Sequence, residues 1–523
     1  MDDAITSAQQ EVSEVEPSSP EPRWNPKTGF GRFLDRYFHI GERGSSILKE
    51  LLGGLVIFLA MFYILPLNAS MLSTSWANAG TVTIAHGNIR QTAEGAIQIL
   101  LYGDTWADAM AVYAAVFAAT AISAAVTTIA MGLYGKLPIG LASGLGSNSL
   151  IAYTVMLNMG YNFAQSLCLV LIDGILFLII SLTPLRAWII RSIPKSLKFA
   201  ISSGLGFFIC FIGFQNMGII RNSDATLVAL GDMTSPTVLV GLFGVILVLA
   251  LASLPQNRKA FFWISKFAVI ISMIIMGILC GSLGSAGVKG FSPFYHSDYS
   301  IANLGNFGLI FGACFHGFDV FANPMAFALV FALLFVDFFD TAGTLVGVET
   351  GAGMIDKEGN LLVDDKPAMV CDAGGTVFGA VCGTTTVTSF VESTAGVAAG
   401  ARTGLAAVTT GLLFGLSLLI FPALSMFSSS AVTGLALIYV GVCMFRNLEN
   451  IDWHDWVAAA SSFVTIIIMT LAYSISDGIA WGFISYTFMT LVTGKFKRSD
   501  ITVAICSLAF IVIYAVKYLT HLA

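Results

Sequence analysis

Hydrophobic positions along this chain come in long blocks separated by short polar stretches. About 20 consecutive apolar residues carry a helix across the hydrocarbon core of a bilayer. On that measure the pattern predicts spans near 48–70, 109–133, 139–157, 163–184, 197–218, 236–254 and 264–284. A loop with strand-like and Gly-rich stretches follows at 285–321. Seven more spans fall near 323–346, 368–383, 386–400, 404–426, 431–446, 455–473 and 475–493. The run at 500–520 reads as an additional C-terminal helix. The expectation is an all-α polytopic membrane protein with about fourteen segments.

Two blocks depart from the rest. Residues 139–157 read IGLASGLGSNSLIAYTVML and residues 385–400 read TTVTSFVESTAGVAAG. Each is the third span of its seven-span half, and each sets small or β-branched residues beside a polar centre. Interrupted segments in corresponding places of two halves point to an inverted-repeat transporter with its site near the midplane. An odd number of spans per half starts the second half from the opposite side, as inversion requires. The glycines would equally serve close helix packing.

Composition agrees with the pattern. Hydrophobic residues make up 56% of the 523 positions and charged residues 11%, against about a quarter charged in soluble domains. The net charge of −6 is spread over many loops, and no patch suits nucleic acid. The eight cysteines and six histidines are scattered without CxxC, Cys/His or HExxH spacing. Neither a metal site, a cofactor nor a disulfide framework is expected. Residues 1–25 are acidic and rich in Ser and Pro and lack an apolar h-region, so 1–30 reads as a disordered tail rather than a signal peptide. With that tail cytoplasmic, most basic residues from Lys136 through Arg402 to Arg498 fall inside. Only Arg90, Arg221 and Lys289 fall in outer loops, with Lys517 near the far end.

The candidate chemistry is acidic. Asp340 and Glu392 stand in apolar or small-residue runs, where a charge at the bilayer centre costs about 2.5–3.5 kcal/mol on insertion scales. Asp337 and Asp340 are i, i+3 on the eighth span, flanked by Thr341 and Thr344. Two carboxylates this close do not both ionise easily, a property that proton coupling needs. The same groups could instead only tie helices together. Glu392, with Ser393 and Thr394, sits in the interrupted tenth span. Its two oxygens can accept from the ring N–H edge of a flat heterocycle. Asn148 is its counterpart in the third span, where Gly144 and Gly146 would let backbone approach a ligand. Asp173, deep in the fourth span, either lines a pathway or caps a break. Phe338 and Phe339 either stack on a ligand or pack against lipid and core.

These motifs resemble a known family. VDFFDTAGTLVGVETGAGMID, VTSFVESTAGVAAGARTGL, KLPIGLASGLGSN and RSIPKSLKFAISSGLGFFICFIGFQNMGII are similar to the AzgA-like purine permeases of the nucleobase/ascorbate transporter superfamily, which includes the bacterial uracil permease. The resemblance covers roughly residues 30–520. It implies two inverted repeats, here 44–284 and 322–493, with 285–321 as an extracellular loop and short strands in spans three and ten. It implies a core domain of spans 1–4 and 8–11 and a gate domain of spans 5–7 and 12–14. It also implies inward transport of adenine, hypoxanthine or guanine across the cell membrane with a coupled proton (sodium being the other candidate), and dimers through the gate domain. By motif, Asp340 takes the eighth-span acidic position, Glu392 the tenth-span acid that contacts the purine, and Asn148 the third-span Asn. The expected substrate site is Glu392, Asp340, Asn148, Ser393, Thr394 and Gly146, with Asp340 and Asp337 as proton-coupling residues. One departure is Ala69, where the pattern has a proline. The other readings are an anion carrier or channel of the same architecture, and an intramembrane enzyme using paired acids. Midplane carboxylates argue against the first, and the lack of a GxGD motif against the second.

Overall fold

The computed structural model describes residues 29–73, 89–91, 97–183, 194–223, 226–255, 259–288, 290–291, 300–351, 366–421, 429–472 and 474–522. Most of the predicted tail and the charged loop around Asp356 and Asp365 lie outside them. A short helix, Gly29–Phe38, leads into span 1.

Span 1 is two helices, Ile47–Met61 and Ile64–Ser73, where the apolar pattern predicted one. The reason is Pro66. A proline has no N–H for the carbonyl four residues back and its ring crowds that carbonyl. Here that carbonyl belongs to Phe62, so the break falls at Phe62 and Tyr63. The second helix then runs straight through Ala69. Span 2 is Ala109–Ala130, prolonged by the π-helical turn Met131–Gly135. The later spans are Phe163–Leu182 (4), Lys195–Asn216 (5), Pro236–Ala252 (6) and Ala268–Ser285 (7). In the second half they are Met325–Gly351 (8), Lys366–Cys382 (9), Gly404–Leu416 (11), Ser430–Phe445 (12), Trp456–Leu471 (13) and Ile475–Val492 (14). The C-terminal run forms its own helix, Ile501–Leu522.

Among the described residues, eight helical stretches are long and apolar enough to cross a membrane, and several shorter apolar helices accompany them. One of the eight, Ile301–Ala322, lies in the predicted loop. Its described part is not strand-like but a series of short helical turns. Phe307, Phe311 and Phe315 repeat every four residues, a helical spacing, and Gly312 at φ +73° cuts the run into pieces.

Spans 3 and 10 are built alike. Strand β4 (Leu141–Ser143) precedes the helix Leu145–Ser149, and strand β7 (Val387–Ser389) precedes the helix Ser393–Ala398. The other strands, β1 (Ile89–Gln91), β2 (Ile97–Tyr102) and β3 (Thr105–Asp108), form an antiparallel sheet ahead of span 2. β5 (Ile220–Ser223) and β6 (Leu227–Leu230) form a hairpin after span 5.

Span 11 packs on spans 1 and 2, and span 9 on spans 2 and 4. Elsewhere span 5 packs on spans 12 and 13, and span 12 on spans 6 and 7. Spans 5 and 12 meet at facing glycines. A Cβ on Gly206 would lie 2.6 Å from the Gly441 carbonyl oxygen, and one on Gly441 would lie 2.4 Å from that of Gly206. Small residues let helix backbones approach this closely in membranes.

Candidate functional site

The site grows from the pairing of β4 and β7. They run antiparallel with Leu141 opposite Ser389, Ala142 opposite Thr388 and Ser143 opposite Val387. Two bonds extend the ladder, from Gly144 N–H to the Thr386 carbonyl (2.9 Å) and from Phe390 N–H to the Gly140 carbonyl (3.0 Å). A two-stranded ribbon leaves two outer edges, and at membrane depth every backbone group needs a partner within the protein. Two threonines supply them. Thr128 of span 2 donates its hydroxyl to the Leu141 carbonyl and accepts from Leu141 N–H, both at 2.9 Å. Thr376 of span 9 accepts from Val387 N–H at 3.3 Å, and its single hydroxyl proton is shared between the Val387 carbonyl (3.3 Å) and Asp337 Oδ2 (3.0 Å). Each strand is thus clamped by the span that precedes it in its own half.

Glu392 directly precedes the Ser393–Ala398 helix and is half-buried. The Tyr63 hydroxyl donates to its Oε1 at 2.7 Å. The break in span 1 therefore has a use: it brings a buried tyrosine to the acid of span 10. Ser393 is buried and accepts from Gly140 N–H at 3.0 Å, which ties the helix start to β4. Thr394 turns back on its own segment, donating to the Val391 carbonyl. Asp340 of span 8 is half-buried beside Thr388 of β7, within electrostatic reach of Asp372 and Glu392. Two carboxylates from spans 8 and 10 thus come together beside β7 of the strand pair.

Residues 95–481 match the family model of the xanthine/uracil permeases, described as "Permease family". The chain belongs to the nucleobase/ascorbate transporter family. It is similar to the guanine/hypoxanthine permease PbuG of Bacillus subtilis, 38% identical over 466 residues, 89% of this chain and 96% of the relative. It is similar to the adenine permease AdeP of Escherichia coli, 32% identical over 478 residues, 91% and 95% of the two chains. A putative permease of Methanocaldococcus jannaschii is 34% identical over 481 residues, 92% and 97% of the two chains. Among solved structures, the transmembrane domain of the cyanobacterial bicarbonate transporter BicA aligns with a TM-score of 0.57 at 13% identity, covering 83% of this chain and 96% of that one. SLC26A9 aligns with a TM-score of 0.54 at 12% identity, covering 94% and 69%. The fold is that of two inverted seven-span repeats in a multi-pass membrane protein.

In this permease the remaining predicted residues sit elsewhere in the site. Asn148 is fully buried in a hydroxyl cluster. Its Oδ1 accepts from Ser143 (3.3 Å) and from Thr385, and its Nδ2 reaches the Ser143 carbonyl at 3.5 Å. The cluster continues through Thr384 to Asn68 of span 1, whose Nδ2 donates to Thr384 and Thr120, both at 2.8 Å. Gly146 packs: a Cβ there would lie 2.5 Å from Leu205 of span 5 and 3.2 Å from Val336 of span 8. Asp337 is fully buried and accepts from Thr376 at 3.0 Å. Phe338 is buried edge-on against Phe177, ring centroids 5.8 Å apart, so it packs in the interior. The side chain of Phe339 lies outside the described residues.

Sequence reasoning missed Asp372 of span 9. It is fully buried, and its Oδ2 accepts from the N–H (2.7 Å) and hydroxyl (2.6 Å) of Ser389, while Thr341 donates to Oδ1 at 2.8 Å. It fixes the end of β7 against spans 8 and 9. Asp372 carries the same signal as Asp340, an acid beside Ala-Gly in an apolar block. Glu50 of span 1 was also missed. It is fully buried and accepts from the N–H groups of Arg402 (2.9 Å) and Thr403 (3.2 Å), capping the start of span 11.

Proposed function

We propose that this chain imports purine nucleobases across the cell membrane by proton symport, with its N-terminus cytoplasmic. The observation that carries this reading is the approach of Glu392 and Asp340 to one another beside the β4–β7 strand pair. A purine presents ring N–H donors along one edge, and carboxylate oxygens accept them without an added cation. Glu392 takes that edge, held in place by Tyr63, while Asp340 completes the site or takes up the coupled proton. Relatives named for guanine, hypoxanthine and adenine support the substrate class. An anionic cargo would meet two carboxylates and be repelled.

Transport follows from the packing. Spans 1–4 and 8–11 form a core domain that carries the site, and spans 5–7 and 12–14 form a gate against which it moves, in the manner of an elevator. The contact of Gly146 with Leu205 is a point where the two groups touch.

The test is uptake into proteoliposomes of a panel of labelled nucleobases, with pH and sodium gradients imposed separately. Adenine, hypoxanthine or guanine should accumulate when the outside is acidic. Glu392→Gln and Asp340→Asn should each abolish concentrative uptake while the protein still reaches the membrane. Accumulation driven by sodium at equal pH would replace the proton reading, and uptake confined to anions would replace the nucleobase reading.

A further inference from the structure

Asp173 is not used by the site described above. It lies in the middle of span 4, fully buried, and neither of its oxygens has a hydrogen-bond partner among the described residues. Asp337 of span 8 is in a similar position. It is fully buried, Thr376 donates to its Oδ2, and its Oδ1 has no partner. Span 4 presses on the same threonine from the other side: a Cβ on Gly174 would lie 2.9 Å from the Thr376 methyl and 2.8 Å from Val377 N. Phe177, one turn after Asp173, packs edge-on against Phe338, the residue next to Asp337, and ties spans 4 and 8 together there. Spans 4 and 8 pack directly on one another along this stretch, which puts Asp173 and Asp337 in the same buried layer.

We propose that Asp173 and Asp337 form a buried carboxyl pair that holds one proton inside the core domain, at a site separate from Glu392 and Asp340. Two ionised carboxylates with a single hydroxyl donor between them and no counter-charge do not persist in a dry interior. One proton on the pair supplies the missing donor and removes one charge. A single proton can shift between the two carboxyls without entering the substrate site. The other groups facing the pair are Asp372 and Thr376 on span 9 and Asp340 on span 8, so every charge nearby is negative. Cys371 of span 9 turns toward Gly135. The ionisable groups at the N-terminal end of span 4, Cys168, Cys314 and Asp319, belong to a separate contact. Thr376 couples the pair to transport, because the same hydroxyl that bonds Asp337 also clamps Val387 of β7.

This inference rests on the proton-symport reading, and the test separates the two. Full-length protein is reconstituted with labelled hypoxanthine and compared as wild type, Asp173→Asn, Asp173→Glu and Asp337→Asn. In Asp173→Asn the accumulation ratio under an acid-outside gradient should fall toward one. Counterflow exchange at equal pH should fall much less, and its pH profile should flatten. Asp173→Glu should restore part of the accumulation. Infrared difference spectra should show a protonated carboxyl band in the wild type that Asp173→Asn removes. Wild-type accumulation and pH profile in Asp173→Asn would overturn the inference, as would the lack of that band in the wild type. Should Asp173→Asn not survive purification, Asp173→Glu decides: a shifted band supports the pair and an unchanged one removes Asp173 from it. A wild type that ignores a pH gradient yet shows the band sinks the symport reading and leaves the shared proton standing. Sodium-driven uptake abolished by Asp173→Asn would assign the pair to sodium and overturn the proton.

Discussion

Thr128 and Thr376 show how much of the site rests on single hydroxyls. Each satisfies a donor and an acceptor of one strand peptide. Valine keeps the shape and loses both bonds, leaving buried backbone groups unpaired at about 1–3 kcal/mol each. Thr128→Val and Thr376→Val should therefore both lower the unfolding temperature in detergent. Thr376→Val should cost more, because it also strips Asp337 of its donor. Equal shifts would mean that the bond to Asp337 contributes nothing. At Asp372, asparagine keeps one acceptor oxygen for the two Ser389 donors and can donate to Thr341. Asp372→Asn should stay within about 1 kcal/mol of wild type, while Asp372→Ala orphans three donors and should lose several times that; comparable melting curves would contradict this anchoring role. Glu392 and Asp340 were legible in the sequence because a charge in an apolar block stands out by itself. Tyr63, Thr128 and Thr376 were not, since an ordinary hydroxyl residue gains its role only when a distant strand arrives beside it. Asn148 was legible as a polar residue in an interrupted span, but the hydroxyls that bond it come from β4 (Ser143) and the turn before β7 (Thr385).

At the scale of elements, the apolar blocks marked the helices closely, because block length and span length are set by the same bilayer. The paired interruptions also came through, as β-branched and small residues in matching places. Two features were lost. The break in span 1 had its cause in Pro66, four residues downstream of the break, inside a block that otherwise read as continuous. The turns at 301–322 mixed aromatic spacing with glycines, and the glycines dominated the reading. Helix contacts too were hidden, because a glycine in an apolar block announces closeness without naming a partner. Gly206 and Gly441 name each other. Gly206→Val or Gly441→Val should push spans 5 and 12 apart and cost about 1–3 kcal/mol, seen as a lower melting temperature. Alanine at either position should fall between. A valine variant as stable as the wild type would show that this contact yields freely.

For the whole molecule, the proposed core and gate domains touch at several places, one being Gly146 against Leu205. Replacing both by cysteine removes the leucine that fills the space and sets two thiols across the contact. In Gly146→Cys/Leu205→Cys, oxidation should stop uptake and a reductant should restore it, with neither single variant responding. Uptake that continues in a fully cross-linked population would mean that these spans move together. The strand pair carries a different consequence, one of time. Residues 141–143 have no ladder partner until residues 387–389 have been made. At synthesis rates of about 5–20 residues per second, the interval is on the order of tens of seconds. Throughout it, the first half waits in the membrane with an open strand edge, a state that the insertion machinery must shelter. The strand pair beneath the candidate site therefore cannot close until most of the chain has been made.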